Sequence, residues 1–293
     1  MYKLIYYLFY TISLLPWFII YFLSDILYVL IYYIIGYRKE IVLNNLAIAF
    51  PEKTEAERKK LAKEFYHHFI DSIVEILKVM TISKEELNKR FECNYDVVNN
   101  ILASGQNVQL HGGHFFNWEY LNLAYCINIK EVFCGVYLPL SNKYFNKLMY
   151  EMRGKFGTGL ISAYNFNREF FAFSKGRYVL ALAGDQNAGN LGNAYWLPFF
   201  GKMVPFVSGP ERMAVAKNAA IVFSSFYRVK RGHYKSHFTL YTTEPKTKPT
   251  GEITKAFRDF LEADVKAHPT NYLWSHRRWK HVFDETKHAG MVI

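Results

Sequence analysis

From Leu4 to Tyr37 the chain carries one charged side chain, Asp25, between Lys3 on one side and Arg38 and Lys39 on the other. As one straight helix the segment would reach about 51 Å, against a bilayer hydrocarbon thickness of about 30 Å. It is therefore too long for a single untilted span. Either one span continues as an interfacial helix, or Pro16 and the Ser24-Asp25 pair break it into two shorter helices that dip into one leaflet. No short apolar core ends in a small-x-small cleavage site, so we read a retained anchor rather than a removed signal. Residues 1–37 are expected to form a membrane anchor and residues 38–293 the working domain.

The rest of the composition fits that setting. Net charge is +11, and the anchor contributes almost none of it. A basic surface beside an anchor attracts anionic headgroups on the cytoplasmic leaflet and acidic protein partners. Positive residues directly after the anchor also favour a cytoplasmic domain. No nucleic-acid reader motif accompanies the charge, and we expect no nucleic acid as partner. The aromatic share of 18% suits a lipid interface, where amphipathic rings sit at headgroup level, although biased base composition accounts for part of it. Three cysteines without a Cys-x-x-Cys pair indicate reduced thiols in a cytosolic setting.

After the anchor, Thr54 and Glu57 form a capping box, and Leu61, Phe65, Phe69, Ile73, Ile76 and Met80 recur at helical spacing over about seven turns. Strand-like runs follow at Val108–Leu110, Val132–Leu138, Tyr178–Ala183, Ile221–Val229 and His237–Thr242. Helical stretches are expected at Lys143–Phe156, Pro210–Lys217 and Ile253–Lys266. Strands alternating with helices predict an α/β domain, a central mostly parallel or mixed sheet flanked by helices.

The chemistry concentrates in His111-Gly-Gly-His-Phe-Phe-Asn-Trp-Glu119. Asn107–His111 reads as a strand and Trp118–Ile127 as a helix, so His114 falls on the connection, where α/β enzymes place reacting groups. Residues five apart on a helix do not share a face. His114 and Glu119 therefore converge only if the histidine precedes the helix and the acid lies in its first turns. Gly112 and Gly113 permit the reversal and close approach such a junction needs. Together the pair offers a general base and a carboxylate to orient it. We expect no metal site: His111 and His114 lack further ligands, and Asp185-x-Asn187-x-Gly189 has Trp196 where a calcium loop needs a bidentate acid.

His114-Phe-Phe-Asn-Trp-Glu119 resembles the His-x4-Asp/Glu block of the lysophospholipid acyltransferase superfamily, in the form typical of the bacterial lipid A late acyltransferases of lauroyl and myristoyl transferase type. Further blocks match that family in order: Asn44–Pro51, Arg153–Gly157, Leu182–Gln186 followed by Phe199-Phe-Gly201, and Asn271–Lys280. The resemblance covers residues from about 38 to 283. The chain departs from the family after Asp185-Gln186, where it continues Asn-Ala-Gly-Asn-Leu-Gly192.

The resemblance implies an enzyme moving a fatty acyl chain from an acyl-carrier-protein thioester to a hydroxyl of a lipid A precursor at the bacterial inner membrane, without a cofactor. His114 would be the base and Glu119 its orienting acid, with Arg153 the cation for the oxyanion. Asp185 would orient Arg153 or touch the acceptor sugar. Asn117, Trp118 and Gln186 would contact substrate. Trp196–Phe200, including Phe199 and Phe200, and Met203–Val207 would wall an acyl groove, and Arg277, Arg278 and Lys280 would bind phosphate. Two alternatives stand beside this: an acyl-CoA enzyme acting on a lysophospholipid or aminolipid, which usually carries a Glu-Gly-Thr-Arg block that this chain lacks, and a non-catalytic lipid-binding protein.

Overall fold

The computed structural model describes residues 1–293. Two apolar helices open the chain, α1 (Tyr2–Ser13) and α2 (Trp17–Val29), separated at Pro16, and α2 continues through a π-helical turn at Leu30–Ile35. Next come α3 (Lys39–Ala49), α4 (Glu55–Lys78), α5 (Lys84–Arg90), β1 (Phe91–Glu92) and α6 (Asp96–Ala103). The α/β body then runs β2 (Val108–Gly112), α7 (Trp118–Asn128), β3 (Val132–Tyr137), α8 (Lys143–Arg153), β4 (Gly159–Ser162), α9 (Phe166–Phe173) and β5 (Tyr178–Ala183). A hairpin, β6 (Ala194–Phe199) and β7 (Lys202–Val207), precedes α10 (Gly209–Lys217), β8 (Ala220–Lys230), β9 (His233–Thr242), α11 (Glu252–Ala267) and the short α12 (Glu285–His288).

Seven strands make one sheet in the order β1-β9-β8-β2-β5-β3-β4, parallel throughout except for the antiparallel β8–β9 pair. The expected α/β architecture is thus present. β2 is central, and Val108, Gln109, Leu110 and His111 are all buried, as a strand covered on both faces requires. The capping box starts α4 as read from the sequence: Thr54 accepts from the Glu57 N–H, and Glu57 reaches back to Thr54.

The β6–β7 hairpin corrects one expectation. Trp196, Leu197, Phe199, Val204 and Phe206 are buried in it, and Phe199 stacks on Trp279 with centroids 5.8 Å apart. These residues are core packing, not walls of an open groove. Trp196 and Leu197 are buried side by side in β6, so the near-continuous apolar run gave no alternation from which to read the hairpin.

α2 lies antiparallel along α4. Contacts pair Tyr21 with Glu75, Ser24 with Asp71, Tyr28 with His67 and Tyr32 with Tyr66. Arg231, on the β8–β9 turn, bridges both helices, with Nη2 2.6 Å from Asp25 Oδ1 and 2.7 Å from Asp71 Oδ1.

Neither glycine of the His111–Glu119 stretch needs left-handed backbone. What Gly113 needs is room, because a Cβ there would lie 2.7 Å from both Leu261 Cδ1 and Phe115 Cε2. Overpacking of this kind costs about 1–3 kcal/mol. Gly113→Ala should therefore lower the thermal unfolding midpoint, whereas Gly176→Ala, which meets nothing within 4 Å, should leave it in place. Equal midpoints for the two variants would show that the loop after β2 is not tightly packed.

Candidate active site

The register of two parallel strands builds the site. Gly112 on β2 pairs with Ala183 on β5, and the Gly184 N–H donates to the Gly112 carbonyl at 3.3 Å. Two residues beyond each strand end, His114 and Asp185 meet. The imidazole Nδ1 lies 2.6 Å from Asp185 Oδ1, and the His114 backbone N–H donates to Oδ2 at 3.0 Å. An ionised carboxylate only accepts, so the proton lies on Nδ1 and Nε2 presents its lone pair. Asp185 is almost wholly buried, at 2% side-chain exposure, while His114 keeps 26% open.

Burial opposes charge on His114, but the Asp185 carboxylate beside it and the hydrogen bond outweigh that, so the imidazole sits above its ordinary value. For Asp185, burial raises the carboxyl; His114, its backbone N–H and the Arg278 charge bring it below the usual range. The two titrate as a coupled pair.

This pairing replaces the expected one. Glu119 does not hold His114: its carboxylate takes Arg153 in a fork, Nε at 3.0 Å from each oxygen and Nη2 at 2.6 Å from Oε1. Asp185, for its part, orients His114 rather than Arg153. Arg153 ends α8, where the helix dipole favours a cation, and retains 21% exposure against 6% for Glu119. Trp118 stands between the two pairs, its ring 5.9 Å from His114 and its Nε1 donating to Glu119 Oε1 at 3.1 Å. Ile76, Val79, Leu123, Met149 and Met152 close tightly around Glu119 on its apolar side and leave no room for a water molecule.

Other site candidates divide by burial. Asn117 is buried; its Oδ1 caps α7 by accepting from Tyr120 N–H, and its Nδ2 donates to Glu75 Oε2 at 3.2 Å, so it shapes the loop instead of meeting substrate. Phe199 is enclosed, and Phe200 occupies the β6–β7 turn with φ 49°, packed on Phe50. Arg278 is fully buried: its guanidinium lies 4.5 Å from the Phe206 ring centroid, and Nη1 donates to the Pro205 carbonyl at 3.0 Å and to Asn187 Oδ1 at 3.2 Å. It cannot reach a phosphate on an external lipid, and its charge acts inward on Asp185. Half-buried Trp118 and Gln186 and exposed Arg277 and Lys280 remain open to a substrate.

Several residues without an assigned sequence role hold this loop. Asn271 Nδ2 donates to the Phe116 carbonyl at 2.9 Å, the Asn271 carbonyl accepts from Phe116 N–H at 3.0 Å, and Leu273 N–H donates to the His114 carbonyl at 3.1 Å. Asn45 in turn donates to the carbonyls of Trp274 and His276 at 2.7 and 2.8 Å. The blocks Asn44–Pro51 and Asn271–Lys280 were visible as motifs, but their mutual contact was not. Glu75 gave a fainter sign, an acid four residues after Asp71 on the face of α4 that also carries apolar side chains.

Known proteins resemble this chain over most of its length. The family model for "Bacterial lipid A biosynthesis acyltransferase" matches residues 2–281. A lipid A biosynthesis palmitoleoyltransferase of Escherichia coli (strain K12) is 24% identical over 247 residues, 83% of this chain and 79% of that protein. A lipid A biosynthesis acyltransferase of Shigella flexneri is similar to the same extent. With the family model covering nearly its whole length, this chain belongs to the bacterial lipid A biosynthesis acyltransferases and is an enzyme of acyl transfer.

Proposed function

We propose that this acyltransferase moves a fatty acyl chain from an acyl-carrier-protein thioester to a hydroxyl of a lipid A precursor or related glycolipid, at the cytoplasmic face of the bacterial inner membrane, with His114 as general base. The observation that carries this reading is the unpartnered Nε2 of His114, on a ring fixed by Asp185 and partly open to solvent. As the acceptor oxygen attacks the thioester carbonyl, Nε2 takes its proton. The resulting imidazolium is held by Asp185. Collapse of the tetrahedral intermediate breaks the C–S bond, and the imidazolium returns the proton to the departing thiolate. Ester and free thiol are the products, and no acyl-enzyme is required.

Arg153 supplies the positive charge for the oxyanion or for a substrate phosphate, with Glu119 fixing its fork. The apolar side chains packed beside Glu119 are closed without substrate, and an acyl tail would enter there by displacing Met149 and Met152, whose side chains rearrange readily. Arg277 and Lys280, exposed near His276, suit the phosphate of the pantetheine arm or of the acceptor. The net charge of +11 suits an acidic carrier protein.

Purified enzyme offered acyl-carrier-protein and CoA thioesters with a panel of glycolipid and lysophospholipid acceptors should acylate the glycolipid from the carrier protein. Preference for lysophospholipid and acyl-CoA would overturn the substrate assignment, and no transfer to any acceptor would favour a lipid-binding role.

Substitution separates the two pairs. His114→Ala should abolish turnover in folded protein. Asp185→Asn should reduce kcat by about 10²–10⁴-fold, the range of general-base assistance. Because Asp185 raises the His114 value, and the base must be neutral, the acid limb of kcat/KM should also move to lower pH in that variant. Glu119→Gln should lower kcat while leaving the acid limb where it is. A shift of the limb in Glu119→Gln but not in Asp185→Asn would return the orienting role to Glu119.

A further inference from the structure

The 19 residues of Trp17–Ile35 are long and apolar enough to cross a bilayer, yet their surroundings argue otherwise. One face of α2 is apolar and open: Phe18, Phe22, Ile26, Leu30 and Ile34 are exposed. The opposite face is tied to polar groups of the folded body along its length. Trp17 Nε1 donates to Glu86 at 3.1 Å, Tyr21 OH to Glu75 at 3.0 Å and Ser24 Oγ to Asp71 at 2.6 Å. Asp25, near the middle of the helix and half exposed, pairs with Arg231 on the β8–β9 turn. If α2 crossed the bilayer in this arrangement, Asp25, Asp71, Arg231 and the turn itself would lie at the hydrocarbon midplane, where charge and loop backbone are not tolerated against lipid.

α1 is fastened in the same way. Lys78 Nζ donates to the carbonyls of Ser13 and Leu15 at 2.7 and 2.9 Å, at the corner between the two helices. Tyr2 OH donates to Glu151 on α8, and the Phe9 and Phe145 rings pack 5.9 Å apart. Leu4 and Leu8 of α1, and Leu138 and Leu140 just before α8, are exposed as well. Cations stand at the two ends of the apolar segment, Lys3 and Arg38, matching anionic headgroups.

We infer that α1 and α2 lie in the plane of a single leaflet of an anionic bilayer, as a built-in face of the enzyme, with the N-terminus and the catalytic domain on the same side of the membrane. This rests on the reading of the enzyme as acting at a bilayer, and it specifies how the bilayer is met. The same plane then passes beside α8, which α1 meets at Phe145 and Glu151, two residues before Arg153.

The test uses full-length enzyme in sealed vesicles of phosphatidylethanolamine and phosphatidylglycerol, with an impermeant maleimide and the wild type as background for its own cysteines. Lys3→Cys and Lys175→Cys, the latter in an exposed loop of the domain, should be labelled in the same proportion before and after detergent. Complementary labelling, with Lys3→Cys reached only from the side opposite Lys175→Cys, would overturn the inference. Spin labels at positions 18, 22, 26 and 34 decide independently of thiol reactivity at position 3. A uniform shallow depth is expected, and a depth that peaks in mid-helix would overturn it. Neither readout involves acyl transfer, so a spanning result leaves the proposed chemistry standing. Failure to float with the vesicles at all would remove the bilayer from both readings.

Discussion

The contact between His114 Nδ1 and Asp185 Oδ1, 2.6 Å long, fixes what the rest of the molecule has to provide. It requires β2 and β5 to be adjacent, parallel and in register at Gly112 and Ala183. It requires a carboxylate to stay ionised while almost wholly buried, which the His114 backbone N–H and the charge of Arg278 support. It also requires the loop after β2 to hold one shape, which Asn271, Leu273 and, one layer further out, Asn45 secure through backbone hydrogen bonds. Hydrogen-bond groups spent this way are worth more than their individual strengths. They remove the alternative loop conformations in which the imidazole would point elsewhere.

Two ion pairs then divide the work. Asp185 faces His114 from the sheet, and Glu119 faces Arg153 from the first turn of α7 toward the end of α8. Trp118 separates them and touches both. A base and a cation that shared one carboxylate would lower each other's usefulness, because the cation would depress the imidazole. In the proposed reaction, separate acids let the imidazole act as a base while the guanidinium keeps its charge on the other side of Trp118. The third buried cluster, Asp71 with Arg231, lies outside the site and joins α2 to the body of the enzyme. Through Glu75, which meets both Tyr21 and Asn117, the apolar helix is two hydrogen bonds from the loop after β2.

Much of the fold was legible in the sequence, because apolar patterns report which faces are buried. Helical spacing marked α4 and the Thr54–Glu57 pair its start, while five of the strands were readable as short apolar, β-branched runs bounded by turn residues. The short strand Gly159–Ser162 and the β6–β7 hairpin were not, since four residues are too few for a pattern and a continuous apolar run has no period. At the site, His114, Glu119, Arg153 and Asp185 were each picked out, but their partners were exchanged. Proximity in the chain favoured Glu119 as the acid for His114, whereas the actual partner lies 71 residues away and is brought in by strand register. Arg278 illustrates the other blind spot. A cation within Arg277–Lys280 reads as solvated unless the aromatic slot formed by Phe199 and Phe206 is known.

The central claim concerns one proton, and imidazole nitrogen NMR observes it. In enzyme labelled with ¹⁵N-histidine, with His114 assigned by its loss in His114→Gln among the ten histidines, the neutral ring should carry hydrogen on Nδ1 and none on Nε2. Its titration should also fall to lower pH when Asp185 becomes asparagine. A ring protonated on Nε2, or one whose titration ignores Asp185 and follows Glu119, would contradict the account.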